Sequence, residues 1–510
     1  MESTKQRVTP IIFVGLSFFL FITFRRAWMC DDAFITLRTV DNFVNGYGLT
    51  WNVIERVQAY THPLWMLLIS VFYFFTHEPF YTVIFISLAL SGLALYFLFK
   101  HFGKNPWAII LATVVLVFSR AYIDYSTSGL ENPLSHLLIV LFFILFLNPG
   151  KISSEKHLMQ LSFIASLGLL TRMDLLLVFA PSLLIVLWDY HKWKGLWYVL
   201  IGQLPFIIWE LFSLLYYGFL VPNTAFAKLA HGISRIVLLK QGLTYFYNSF
   251  INDPLSMFCI GLGLTLPFLQ RKDKRMAVIS VGAILYLVYT LWIGGDFMSG
   301  RFFTVPLLIS TILIMNLMES FTREHALALL GIILVLGLIL PFNTLTLDVK
   351  EYSYAKNGVD DERMYFFPGM SLIMRYRNHM QPEFKWKEQG IEYKDSGNKV
   401  THARAIGLFG YYCGQGVYII DGHGLADPLL SHLKTPLTSQ YMSGHILKEV
   451  PEGYRESLNS GINEITNPNL HEYYDKVLLI TRGQIFDWDR IKTIFEMNLG
   501  KYDHLLIASE

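Results

Sequence analysis

The chain has 510 residues, of which 53% are hydrophobic and 16% charged, against about 25% charged residues in an ordinary soluble domain. That deficit excludes a typical soluble enzyme and predicts a polytopic membrane protein. The net charge of +2 is too small to draw a nucleic-acid partner, and the three cysteines, Cys30, Cys259 and Cys413, lack metal-ligand spacing.

Taken in order, the first apolar run is "VTPIIFVGLSFFLFITF", preceded by Lys5 and Arg7. It resembles a signal peptide, but no small-residue cleavage site follows, so it reads as an uncleaved first helix over 10–28. Further runs at 80–99, 105–119, 132–148, 157–170, 174–190, 196–217, 254–269, 276–293, 303–319 and 324–342 approach the length that crosses a hydrocarbon core. The stretch 63–77 is short and reads as interfacial. Charge supports this: if 63–77 does not cross, Lys5, Arg7, Lys100, Lys104, Lys151, Lys156, Lys192, Lys194, the basic run 271–275 and Arg323 share one side, as cytoplasmic loops should. The expected fold is therefore mostly α, with about eleven transmembrane helices in a domain over 1–342 and the N-terminus inside. The tail 343–510 is polar and would form an outer-face, periplasmic α/β domain. Its strands are expected in "ARAIGLFG", "GVYIIDG", "KVLLITRG" and "HLLIASE".

This topology collects the unusual polar residues on the outer side. Loop 29–79 holds Asp31 and Asp32 directly after the first helix, where carboxylates are costly. Ala33, Leu37, Val40 and Val44 recur at helical spacing, which predicts a juxtamembrane helix stopped by Gly46, with Asp31 and Arg38 on its polar face. Asp32 serves as its N-cap or takes part in chemistry. Asn52, Glu55, Arg56 and His62 follow in "GLTWNVIERVQAYTHPLW". Glu55 and Arg56 form a surface pair or touch substrate, and His62 caps the helix opened by Pro63 or contacts substrate.

Glu131 begins the fourth helix, where it favours the helix dipole or serves a site. Arg172 and Arg301 lie in short outer turns, against the inside rule. They pair with Asp174 and Asp296, or they recognise a lipid phosphate through their planar forks. Arg25 and Arg26 read as snorkelling side chains. A carboxylate at this level can act as general base or nucleophile. There is no Walker loop and no dinucleotide fingerprint, so no cofactor is indicated, while a divalent metal stays open.

At "DDAFITLRTVDNFVNGYGLTWN", "ERVQAYTHPLW", "TSGLENPL", "GLLTRMD", "GGDFMSGRF" and "DGHGLADPLL" the chain resembles the GT-C class of integral-membrane glycosyltransferases. It is similar to the bacterial β-(1→2) arabinofuranosyltransferases of cell-wall arabinan and their LphB-type relatives. The resemblance implies a polyprenyl-phosphate-linked sugar donor, Asp31 as the catalytic acid/base or nucleophile with Asp32 beside it, and site roles for Glu131, Asp296 and Arg301. It also implies a glycan or protein acceptor, such as a pilin, in the periplasm, and the lipid bilayer as the working environment. The alternatives are a lipid-linked sugar flippase or transporter, which needs polar groups at mid-membrane, and a non-catalytic envelope assembly protein.

Overall fold

A computed structural model describes residues 2–148, 154–229, 233–270, 273–318, 321–339, 343–346, 357–374, 384–434 and 441–506. The basic residues Lys151, Arg271 and Lys272 lie outside them. The chain is mostly helical and forms two compact units. The first takes Met1–Cys30, Val83–Phe206 and Arg235–Pro382; the second takes Asp31–Thr82, Ile207–Ser234 and Glu383–Glu510. The unit that contains the end of the chain thus also contains most of the 29–79 loop.

Four helical stretches among the described residues are long and apolar enough to cross a membrane: Val8–Arg25, Pro79–Phe102, Met173–Tyr190 and Lys274–Trp292. Counting two bent helix pairs as single spans brings the number to six. Other apolar helices are shorter, including Pro106–Phe118, Asn132–Phe146 and Pro63–Thr76. At 1.5 Å per residue, the 14 residues of Pro63–Thr76 extend about 21 Å, which falls short of a span.

In the first unit the helix Thr304–Leu317 is buried at every position except Asn316, as suits a helix apolar on all faces. It is central to this unit's core, which also draws on Leu116, Phe142, Phe143, Ile279 and Ala283. The helix Pro254–Gln270 approaches it through Gly263, where an added Cβ would lie 2.5 Å from the Ser310 Cβ. Small residue against small residue lets two backbones close. Arg26 is only 3% exposed; it ion-pairs with Asp124 at 2.9 Å and donates to the Thr346 carbonyl. It is therefore anchored in protein instead of snorkelling. Arg25 lies over the Phe21 ring.

The second unit opens with the helix Asp31–Val44, and Gly46 follows in the left-handed region at φ 85°. Two strands, β1 (Val400–Ala403) and β2 (Tyr418–Asp421), pair in parallel with Val400 opposite Tyr418. The helix Leu408–Cys413 lies in the connection between them. "KVLLITRG" is not a strand. It belongs to the helix Pro468–Arg482, capped by Asn467 with Pro468 in its first turn, and its buried face is Tyr473, Tyr474, Val477, Ile480 and Thr481. That spacing has helical period, which four consecutive apolar residues conceal. "ARAIGLFG" likewise runs into the Leu408–Cys413 helix, and His504, Leu505 and Leu506 belong to the 3₁₀ turn Asp503–Leu506. The last residues of "HLLIASE", 507–510, lie outside the described set.

A buried polar network ties this unit together. Glu55 is 2% exposed; it accepts from the Tyr418 hydroxyl at 2.8 Å and ion-pairs with Arg482 at 3.2 Å. Tyr454 donates to Asp427 at 3.0 Å. The Asp427 carboxyl is pushed up to about 8 by burial and by nearby Glu55. Burial raises Glu55 too, opposed by Arg482 and Tyr418. Removing one partner of such a pair leaves an uncompensated charge. Arg482→Met should therefore destabilise the protein by about 3 kcal/mol, read as a lowered Tm in detergent. Adding Glu55→Gln to that variant should recover part of the loss, and equal Tm values for the single and double variants would remove the pair from the stability of this unit.

Candidate active site

The segment before Asp31 is pinned within the first unit. The Trp28 indole donates to the Asp124 carbonyl at 2.7 Å, and the Met29 and Cys30 amides donate to the carbonyls of Met370 and Ser128. Asp31 then begins its helix with a carboxylate 8% exposed. One oxygen accepts the Gly407 N–H at 3.0 Å, and the other accepts the Leu408 N–H at 2.7 Å.

Only glycine fits at 407. A Cβ there would stand 1.9 Å from the Asp31 carbonyl oxygen and 2.7 Å from its carboxyl carbon. Burial pushes the Asp31 carboxyl up to about 7, with Asp32 adding to the rise and the two amides opposing it. Asp32 is half-buried, and among the described residues its carboxylate makes no hydrogen bond. It contributes to the raised value of Asp421, about 6, which is due mainly to burial. Asp421 accepts from the amides of His423 and Ala426 at 2.9 Å.

The other residues expected around Asp31 are engaged with the unit's own backbone. Arg38 donates to the carbonyls of Trp51 and Val417 at 2.8 and 2.7 Å, and to that of Gly410. Its guanidinium lies 4.6 Å from the centre of the Trp51 ring. Asn52 exchanges hydrogen bonds with the Ile419 backbone in both directions at 3.1 Å, which attaches its loop to β2. Arg56 donates to the Tyr216 carbonyl at 3.1 Å and to that of Gly483. His62 occupies the N-cap position of Pro63–Thr76 but makes no capping bond through its side chain; its Nε2 meets the Thr36 hydroxyl at 2.8 Å. A role for Arg38, Asn52, Glu55 and Arg56 in holding this unit together is thus visible directly.

The first unit gathers a second group. Arg172 forms a two-pronged contact with Asp174 at 3.0 and 2.6 Å and stacks 4.6 Å from the Phe302 ring centre. Its other contacts are to Glu131 at 3.4 Å and to the Tyr286 hydroxyl at 3.0 Å. Arg301 reaches the same Glu131 oxygen at 2.9 Å and Asp296 at 3.4 Å. Glu131, Arg172, Asp174, Asp296 and Arg301 therefore meet, three carboxylates on two guanidiniums. No set of three or more His, Cys, Asp or Glu among the described residues is arranged to hold a metal ion.

Gly407, Asp421, Asp427 and Arg482 were not singled out from the sequence. "DGHGLADPLL" carried a signal for two of them, through the resemblance. Gly407 could be found only from the fold, because its partner lies 376 residues earlier.

No family model matches the chain. It is 26% identical over 506 residues to a terminal β-(1→2)-arabinofuranosyltransferase of Mycobacterium tuberculosis, covering 80% of this chain and 79% of that protein. It is 27% identical over 333 residues to a protein of the same name from Corynebacterium glutamicum, covering 55% of this chain and 47% of that protein. The chain is a distant relative of these arabinofuranosyltransferases and, with them, a glycosyltransferase.

Proposed function

We propose that this protein moves arabinofuranose from a polyprenyl-phosphate carrier to an envelope glycan or exported protein at the outer face of the bacterial cytoplasmic membrane. Asp31 acts as the base. The observation that carries this reading is a buried carboxylate, held by two amides, whose proton affinity lies near 7. That value suits a base working near neutral pH. The acceptor hydroxyl gives its proton to Asp31, its oxygen forms the new bond to the anomeric carbon, and the carrier phosphate leaves with the electrons of the broken bond.

A carboxylate offers about four acceptor positions. The amides use two of them, so Asp31 is oriented without being fully consumed. Asp32, next along the chain and free of hydrogen bonds among the described residues, supplies negative charge beside the base and a further acceptor for substrate hydroxyls. Arg172 and Arg301, with Glu131, Asp174 and Asp296, are our candidates for recognising an anionic lipid headgroup. Arg38, Asn52, Glu55 and Arg56 are proposed to act by positioning, since their polar atoms already serve the protein's own chain; His62 joins them through Thr36.

Asp31→Asn in purified protein should lower transfer by about a hundredfold or more while leaving donor binding intact; unchanged turnover would take Asp31 out of the chemistry. The pH dependence has a definite sign. The base works ionised, so kcat/KM for the parent should rise with pH and level off above about 7. In Gly407→Ala the added methyl separates the amides from Asp31. The carboxyl loses the contacts that hold its proton affinity down, so kcat should fall and the acid limb should shift to higher pH. A profile that coincides with the parent's would show that Gly407 does not position the base.

A further inference from the structure

The second unit contains a cavity of about 690 Å³, within the range of small-ligand sites. The helix Lys385–Asp395 contributes Trp386, Gln389, Glu392 and Tyr393, and the chain after β1 contributes Arg404 and Phe409. Three aromatic residues, all half-buried, alternate with exposed amide, carboxylate and guanidinium groups. The wall is built rather than fortuitous. The Tyr393 hydroxyl donates to the Val400 carbonyl at 2.7 Å, and the Tyr393 and Phe409 rings meet edge to face at 6.2 Å. Gly390 permits the close packing behind them, since a Cβ there would lie 2.7 Å from the Phe409 carbonyl oxygen.

We propose that this groove is the docking site of the acceptor glycan, an inference that rests on the transferase reading. A furanose or pyranose ring has apolar C–H faces and an equator of hydroxyls. The faces match aromatic rings, and the hydroxyls match planar side chains that both donate and accept. Arg404 and Glu392 have no ion-pair partners among the described residues, which leaves them able to bond neutral hydroxyls.

The groove's wall also shares a chain segment with the amides that hold the base. Arg404, Ala405 and Phe409 line it, and between them in the same short segment Gly407 and Leu408 donate the two amides that hold Asp31. A glycan seated along this wall lies against the segment that orients the carboxylate. A growing chain would thus be gripped behind its reacting end, while its terminal residue remains free to move toward the base.

The test uses full-length protein in detergent, with a linear arabinofuranose oligosaccharide as probe. Trp386→Ala combined with Arg404→Ala alters partly exposed positions and should leave the fold intact, which a Tm equal to the parent's would verify. The double variant should bind the oligosaccharide about tenfold more weakly by calorimetry without donor. In the transfer assay its acceptor KM should rise to a similar degree, with kcat and donor KM within twofold of the parent, as expected for a contact equal in ground and transition states. Binding within twofold of the parent's, or a parent that binds no oligosaccharide, overturns the groove. Groove-dependent binding by a parent that never transfers sugar would retain the groove and overturn the transferase reading. Transfer that survives with its acceptor KM unmoved would do the reverse.

Discussion

A carboxylate removed from water and held by two backbone amides from a distant part of the chain is the constraint on which the second unit depends. Desolvation alone would drive Asp31 to its neutral form. Two N–H donors favour the ionised form, and the balance lies near 7, where little free energy separates the two states at neutral pH. The fold carries the cost. A carboxyl raised from 3.8 to about 7 binds its proton more tightly folded than unfolded, so stability declines as pH rises through that window. The loss is on the order of 4 kcal/mol above pH 7 and vanishes below about pH 4. The close approach at Gly407, where no side chain fits, makes the arrangement specific.

The ionic group of the first unit obeys a different balance. Arg172 and Arg301 share one Glu131 oxygen and each has an aspartate of its own. Desolvated ions persist when they are paired, and here the acids exceed the bases by one. An arriving phosphate would add negative charge to a set that already has an excess, so it gains a guanidinium only when a carboxylate yields one. Competition of that kind favours a ligand able to present two oxygens to a planar fork. It would disfavour a chloride or an isolated carboxylate, which is the selectivity the proposed headgroup site requires.

Local periodicity was readable in the sequence; long-range accounting was not. Ala33, Leu37, Val40 and Val44 marked the Asp31–Val44 helix, and Gly46, with its positive φ, marked its end. Pro63 marked the start of the next. "KVLLITRG" was misread because its four apolar residues fit strand and helix equally; the deciding residues, Asn467, Pro468, Tyr473 and Tyr474, lie upstream. Of the charged residues expected on one face, Glu131, Arg172, Asp174, Asp296 and Arg301 meet in the first unit, and the pairing of each arginine with its nearby aspartate was readable from their spacing alone. Arg38 and Arg56 illustrate the limit. Nothing local announces that their donors will go to the carbonyls of Val417 and Gly483, because the partners are supplied by a chain segment more than three hundred residues away.

That accounting separates scaffold from chemistry. In a dry interior every polar atom must find a partner, so being polar, buried and close to an acid does not by itself mark a residue as reactive. Remaining capacity separates Asp31 and Asp32 from Arg38, Asn52 and Glu55. Arg38 donates to three backbone carbonyls, and Asn52 both gives to and takes from one backbone position. Glu55 is matched by a tyrosine and an arginine. Asp31 keeps acceptor positions beyond its two amides, and Asp32 keeps all of its own among the described residues. In a unit where those polar groups have been turned inward to hold the chain, two adjacent carboxylates retaining that capacity are where the proposed transfer would receive an incoming hydroxyl.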